Sequence, residues 1–380
     1  MGDSELRVRA GGRPDLADLQ PYRAPQLDAA VKLNTNESPY PPHPAFVEDL
    51  QKRISVLQLN RYPLRDFPEV KEAVARYAGT LTDRIWLANG SNELLLQLLL
   101  AFGGVERKAM VFEPTFPMYG HITRVSGTRL LRARRNADFT LERQFCLQSI
   151  DVQAPEVIIL CSPNNPTGNS HSPEEIADFC RAAPGIVILD EAYAEFAGGG
   201  NAALVEEFEN LAVVRSFSKA WRLAGARIGY LIASPWIIDE ILKVRLPYHF
   251  SSLSQAAALA AVAHREELMA TIETIVHERG RVFRELATTG GIMPFPSDAN
   301  FVLFRTLNRP AGEVWQGLLD RGVLVRDFSD LPGCEDCLRV SIGTAEQNEK
   351  FLEALAKALA APGPAAEPAA AGEPATSAPD

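Results

Sequence analysis

A lysine stands in the run Ser216-Phe217-Ser218-Lys219-Ala220-Trp221-Arg222-Leu223-Ala224-Gly225-Ala226-Arg227, just after the apolar stretch Leu211 to Val214. Its neighbours are small, apolar or hydroxylic, and an unpaired ammonium is costly to bury among such groups. Desolvation lowers a lysine's pKa and frees its nucleophilic form, which makes Lys219 a candidate for amine chemistry. A surface lysine near a strand end is the competing reading of this segment alone. The segment also satisfies S-x-x-K, a pattern of serine acyl-enzymes. That chemistry needs S-D-N and K-T-G partners; Ser297-Asp298-Ala299-Asn300 does not fit the first, and no K-T-G exists.

Other strand-end signals accompany Lys219. Asp190-Glu191-Ala192-Tyr193 closes the apolar run Ile186 to Leu189. An acid at the end of a buried strand is expensive unless a cation meets it, and a protonated pyridine nitrogen would be such a partner. Tyr193 could reach a neighbouring ring oxygen. Asn164 and Asn165, set between Pro163 and Pro166, place a side-chain amide rigidly after the strand ending at Cys161. Gly90-Ser91-Asn92 opens a helix and offers free N–H groups at its positive end, a cradle for phosphate. Ser216, Ser218 and Arg227 add hydroxyls and a guanidinium suited to the same anion. Phe116, just past another strand, could stack on a ring or simply pack in the core. Pyridoxal 5′-phosphate explains the whole set: a Schiff-base lysine, an aspartate for the pyridine nitrogen and a phosphate cup.

The elements that must position these residues alternate. Short apolar runs at Arg84 to Ala88, Ala109 to Phe112, Val157 to Cys161, Ile186 to Leu189, Leu211 to Val214 and Ile228 to Ala233 are mostly separated by polar or helical segments. This argues for an α/β fold with a mainly parallel sheet covered on both faces, its functional residues at strand C-terminal ends. Residues 235–290 read as long helices. After them comes a smaller α+β unit with strands near Ala299 to Phe304, at Val323 to Arg326 and at Cys337 to Ile342, and helices from Gly312 and over Gln347 to Leu359. The expected organisation is an N-terminal arm with part of the small domain (1–45), a large cofactor-binding domain (46–270), a C-terminal small domain (271–360) and a disordered Ala/Pro-rich tail (361–380).

The bulk numbers exclude other classes. The chain has 380 residues and a formal net charge of −10, with 48 acidic against 38 basic side chains and no basic stripe, which argues against nucleic acid. There is no transmembrane-length apolar run and no signal peptide. The five cysteines are scattered, as in a reducing compartment, and Cys334-Glu335-Asp336-Cys337 lacks the second pair a zinc site needs. A cytoplasmic, metal-free protein is expected.

The motifs together resemble the fold-type-I, class-I/II aminotransferases, most closely the histidinol-phosphate aminotransferase family. They are Leu33-Asn34-Thr35-Asn36-Glu37, Asn60-Arg61-Tyr62-Pro63, Ala88-Asn89-Gly90-Ser91-Asn92-Glu93, Pro163-Asn164-Asn165-Pro166-Thr167-Gly168, Asp190-Glu191-Ala192-Tyr193, Ser218-Lys219-Ala220, Ser297-Asp298-Ala299-Asn300-Phe301 and Leu338-Arg339-Val340. The resemblance implies the aspartate-aminotransferase-like fold, a three-layer large domain with a smaller α+β domain. It implies that Lys219 carries the cofactor and shuttles a proton, with Asp190 on the pyridine nitrogen. Asn165 and Tyr193 would hold the ring oxygen and Phe116 would stack. Ser91, Asn92, Ser216, Ser218 and Arg227 would hold the phosphate, joined by Tyr62 from a second subunit, so a homodimer is expected. Tyr22, Asn36, Asn165, Arg326 and Arg339 would face the substrate. The implied reaction is transamination of histidinol phosphate with 2-oxoglutarate in histidine biosynthesis. An aromatic amino-acid aminotransferase acting on phenylalanine, or a threonine-phosphate decarboxylase-like enzyme, is the alternative. Ser38-Pro39-Tyr40 after Glu37, and Phe116 where many relatives carry tyrosine, depart from the family pattern.

Overall fold

The computed structural model describes residues 11–21 and 26–360, so Tyr22 and the 361–380 tail lie outside the described residues. The apolar runs form strands: β1 (Val31–Lys32), β2 (Ile85–Ala88), β3 (Lys108–Glu113), β4 (Arg129–Arg134), β5 (Val157–Cys161), β6 (Ile186–Asp190), β7 (Leu211–Ser216) and β8 (Gly229–Ala233). Seven of these make one sheet in the order β2-β8-β7-β6-β5-β3-β4. Strand β8 runs antiparallel to both neighbours, and the other pairings are parallel. Every residue of β5, β6, β7 and β8 is buried, the signature of strands covered on both faces.

The cover comes from helices α1 (Pro44–Ser55), α2 (Pro68–Ala78), α3 (Ser91–Phe102), α4 (Met118–Val125), α5 (Arg143–Gln153), α6 (Pro173–Ala182), α7 (Pro235–Val244) and α8 (Ser252–Ala263). Proline at the first turn starts α1, α2, α6 and α7, where its missing N–H costs nothing. The helix α3 packs on β7 and β8, with α7 against its other side. The chain continues through α9 (Arg265–Met269), α10 (Ile272–Thr288), α11 (Ala311–Leu319) and α12 (Ala345–Ala360), with strands β9 (Ile292–Pro294), β10 (Phe301–Thr306), β11 (Val323–Leu324), β12 (Arg326–Asp327) and β13 (Cys337–Ser341).

Two sequence expectations need correction. The segment Val323 to Arg326 is not one strand. Val323 and Leu324 pair in parallel with Val31 and Lys32, whereas Arg326 and Asp327 pair antiparallel with Arg339 and Leu338. Val325 lies between the two ladders, its carbonyl accepting Trp315 Nε1 at 2.9 Å. The second correction is an addition: Arg129–Arg134 is a strand at the edge of the large sheet, where its arginines at 129, 132 and 134 are exposed. Charge on an edge strand blocks pairing with other chains, and it also hides the strand from a hydrophobicity pattern.

Candidate active site

The parallel neighbours β6 and β7 end side by side and deliver the acid and the amine. Asp190 is the last residue of β6, only 4% exposed, and accepts the Ala192 N–H at 3.1 Å and the Tyr119 hydroxyl at 2.8 Å. Burial nevertheless pushes its carboxyl up to about 6, since these two donors only partly offset lost hydration. Lys219 follows β7 by three residues, and its Nζ donates to the Thr35 carbonyl at 2.9 Å. Burial, reinforced by the positive charge of Arg339, brings its pKa down to about 8, against an opposing pull from Glu37. An amine near that value is partly neutral at physiological pH, the form that attacks a carbonyl.

A hollow lined by possible phosphate donors lies beside them. Gly90 is the N-cap of α3 and no side chain caps the helix, so its first turn opens on the cavity that Ser91 and Asn92 line. Arg227, at φ +52°, donates to the Ser218 hydroxyl at 3.4 Å, and Ser216 accepts the Ser218 N–H at 3.1 Å. Two glycines shape this hollow. A Cβ on Gly90, itself at φ +88°, would come within 2.7 Å of Arg227 Nη2, and one on Gly229 would meet Ser91 N at 2.6 Å.

The opposite wall is built by distant segments. Asn36, held at φ +56°, donates through Nδ2 to the Tyr193 hydroxyl at 3.0 Å, and Asn165 Nδ2 approaches the same oxygen at 3.5 Å. Arg339 donates to Asn165 Oδ1 at 2.5 Å and to the Asn34 carbonyl at 2.8 Å. Arg326 and Arg339 face each other across the β12–β13 ladder, and both guanidiniums stack on Phe328, at 5.9 and 5.0 Å. Like charges directly opposed on a ladder repel, so the pair is suited to an anion between them. Phe116 is half-buried, edge-on to Tyr119 at 5.5 Å, and lines the same cavity of about 330 Å³.

That one cavity gathers Asn36, Ser91, Asn92, Phe116, Asn165, Asp190, Tyr193, Ser216, Ser218, Lys219, Arg227, Arg326 and Arg339. Tyr62 is not among them: it is 80% exposed and stacks on Tyr248 with ring centroids 4.5 Å apart. Tyr22 lies outside the described residues. Asn164 turns out to be scaffolding, donating to the Pro114 carbonyl and Thr167 Oγ1 and accepting from Thr115. Among the described residues, no group of three His, Cys, Asp or Glu side chains could hold a metal.

Two contributors were not singled out in the sequence. One is the Thr35 carbonyl, a backbone atom without a side-chain signature. The other is Tyr119, buried and bonded to Asp190. Removing its hydroxyl withdraws a donor that favours the ionised acid, so the Asp190 pKa rises. Tyr119→Phe is therefore expected to cut kcat by roughly three- to tenfold, the scale of one hydrogen bond to a charged group. The acid limb of its pH–rate profile should move to higher pH; a limb that stays where it is in the unsubstituted protein would contradict this role.

The residues fit pyridoxal phosphate. Asp190 is a buried carboxylate that needs a cation, and the first turn of α3, with no side-chain cap, joins Ser216, Ser218 and Arg227 in offering donors for an anion on the same cavity. Lys219 is a buried amine of lowered pKa on the same cavity wall. Comparison with known proteins agrees. The chain is 44% identical over 362 residues to a histidinol-phosphate aminotransferase of Nocardia farcinica, covering 93% of this chain and 91% of that one. The histidinol-phosphate aminotransferase of Sinorhizobium meliloti, solved in complex with pyridoxal-5′-phosphate, superposes with TM-score 0.82 at 25% identity, covering 92% of this chain and 98% of that one. The aspartate aminotransferase of Thermus thermophilus shares the fold, with TM-score 0.74 at 21% identity over 87% of this chain and 92% of that one. The sequence profile of the family "Aminotransferase class I and II" matches residues 28–355. The chain belongs to the class I and II aminotransferases, a family of pyridoxal-phosphate-dependent enzymes.

Proposed function

We propose that this aminotransferase moves the amino group of histidinol phosphate to 2-oxoglutarate, giving imidazole-acetol phosphate and glutamate, a step of histidine biosynthesis. The observation that carries the reading is the Arg326–Arg339 rung on the cavity wall. Two guanidiniums suit the dianionic phosphate of the donor, and Arg339 with its bidentate fork suits the carboxylate of a keto acid. The name borne by the 44%-identical relative supports the same substrate. Asn36 and Asn165, bonded to Tyr193 and Arg339, set the rest of that wall.

When bound, pyridoxal phosphate supplies the electron sink for charge developing at the substrate carbon. Asp190 would keep a proton on the pyridine nitrogen, with Tyr119 orienting its carboxylate. Lys219 Nζ would take the proton from the amine-bearing carbon of the donor and deliver one to the keto-acid carbon that gains the amino group, with the Thr35 carbonyl as its resting acceptor. The amides of Ser91 and Asn92, the hydroxyls of Ser216 and Ser218 and the Arg227 guanidinium would hold the phosphate. Phe116 would contact the ring, and Asn165 and Tyr193 would hold its oxygen. Tyr62, exposed as Leu64 and Leu246 are, serves a second copy's cavity in a homodimer. The division into arm (1–45), large (46–270) and small (271–360) domains belongs to this proposal, as does a cytoplasmic setting. Among the described residues, no helix is long and apolar enough to cross a membrane.

An amino-donor panel with 2-oxoglutarate tests the reading, comparing histidinol phosphate, phenylalanine and threonine phosphate. Arg326→Ala should lower kcat/KM for histidinol phosphate by roughly a hundredfold, the scale of a lost charge-assisted pair, and for phenylalanine only several-fold. Equal losses for both donors would argue against a two-arginine phosphate site.

A further inference from the structure

We propose that Glu93 is a positioning residue for the phosphate end of the cofactor, acting through Asn89; the inference rests on the reading of the α3 N-terminus as the phosphate cup. In a complete capping box the N-cap hydroxyl accepts the backbone N–H three residues on, while the side chain there reaches back to the N-cap N–H. The chain builds such a box on α6, with Ser172 and Glu175. On α3 it builds half of one, shifted by a residue, because the carboxylate reaches past the N-cap to the residue before it. Gly90 stands at the N-cap with no side chain to donate or accept. Glu93, at the third helical position, still reaches back, one carboxylate oxygen accepting the Asn89 backbone N–H at 2.9 Å and its Nδ2 at 2.7 Å.

The missing half matters as much as the half that is present. A serine at the N-cap would occupy with its own hydroxyl the amides that face the cavity. Glu93 is the side chain that ties Asn89, the first residue of this turn, to the helix whose amides the turn places. The carboxylate is itself fixed, its other oxygen accepting Gln97 Nε2 at 3.0 Å, while Gln97 Oε1 accepts Trp86 Nε1 at 3.0 Å. Asn89 is tied on its far side, donating to the His249 carbonyl at 2.8 Å. The turn also seats the cation, because Gly90 packs directly against the Arg227 guanidinium. Glu93 does not line the cavity; Ser91 and Asn92 do. Its effect is thus on the phosphate and not on the ring or the substrate.

The test titrates the full chain with pyridoxal 5′-phosphate and, separately, with pyridoxal, which has the ring and aldehyde but no phosphate. Glu93→Ala should weaken pyridoxal phosphate by roughly tenfold or more, as for a lost hydrogen bond to a charged group, and leave pyridoxal within about twofold. Glu93→Gln, which keeps an acceptor for the Asn89 N–H, should recover most of that loss. Equal weakening of both ligands, or of neither, overturns the proposal. Should Glu93→Ala not fold, Asn89→Ala carries the same test, since it removes one of the two bonds and should show the same split in smaller measure. An unsubstituted chain that binds pyridoxal as tightly as pyridoxal phosphate would instead sink the phosphate-cup reading itself.

Discussion

Lys219→Ala is expected to abolish turnover, with kcat lowered by about 10⁴-fold or more, because in the proposed mechanism one side chain serves as both covalent anchor and proton carrier. Among the described residues no other primary amine lines the cavity, and the other cations there are arginines, which stay protonated. Lys219→Arg should therefore be just as inactive although it keeps the charge. The cofactor itself should still bind, held by the cup and Asp190, but without the covalent band in the visible spectrum. Turnover above trace level in either variant would remove Lys219 from the centre of the mechanism. The pKa of about 8 gives a sign as well: below it the amine is increasingly protonated, so covalent loading of the cofactor should slow as pH falls.

Asp190→Asn should come next in severity, lowering kcat by roughly 10³-fold while changing cofactor affinity far less. Asparagine fills the same space; its one oxygen can still accept the Ala192 N–H, while its NH2 can donate to the Tyr119 oxygen in place of the bond Asp190 accepts there. It has no negative charge to keep a proton on a ring nitrogen. The expected signature is thus a kcat loss with a nearly intact binding curve. Activity within tenfold of the unsubstituted enzyme would show that the ring nitrogen needs no ionised partner. Asp190 and Tyr119 are coupled through one hydrogen bond, so the Asp190→Asn, Tyr119→Phe double variant should lose less than the product of the two single losses.

Much of this site was legible because its residues follow buried strands closely. Asp190 ends β6 and Lys219 lies three residues beyond β7, so an apolar run followed by a charged residue was signal enough. Asn165 was flagged by its prolines and Ser91 by its glycine. What stayed hidden depends on contacts across long sequence separations or on atoms without side-chain identity. Arg339 meets Asn165 across 174 positions, and Lys219 meets the Thr35 carbonyl across 184. Tyr119 reads as an ordinary aromatic of α4 until the fold sets its hydroxyl against Asp190. Glu93 reads as a helix-opening acid until its bonds to Asn89 are seen. Strand β4 escapes the pattern because its arginines interrupt the apolar run, and the split at Val325 escapes it because each half is only two residues long and no glycine or proline separates them.

The break at Val325 has a consequence for how the protein can vary. The two-residue ladders on either side of it each fix a frame, one against β1 and one against β13. Val325 alone spans the two frames, so a residue inserted beside it must bulge out between the ladders or break one of them, and losing the second ladder takes Arg326 from its place opposite Arg339 without altering any amino acid of the site. Asp190 ends a strand of the large sheet, and Lys219 and the α3 turn follow strands of that sheet, so they keep their frame through such a change. On the proposed role of Arg326, length variation at this one position is a route by which substrate choice is lost while amine chemistry is kept.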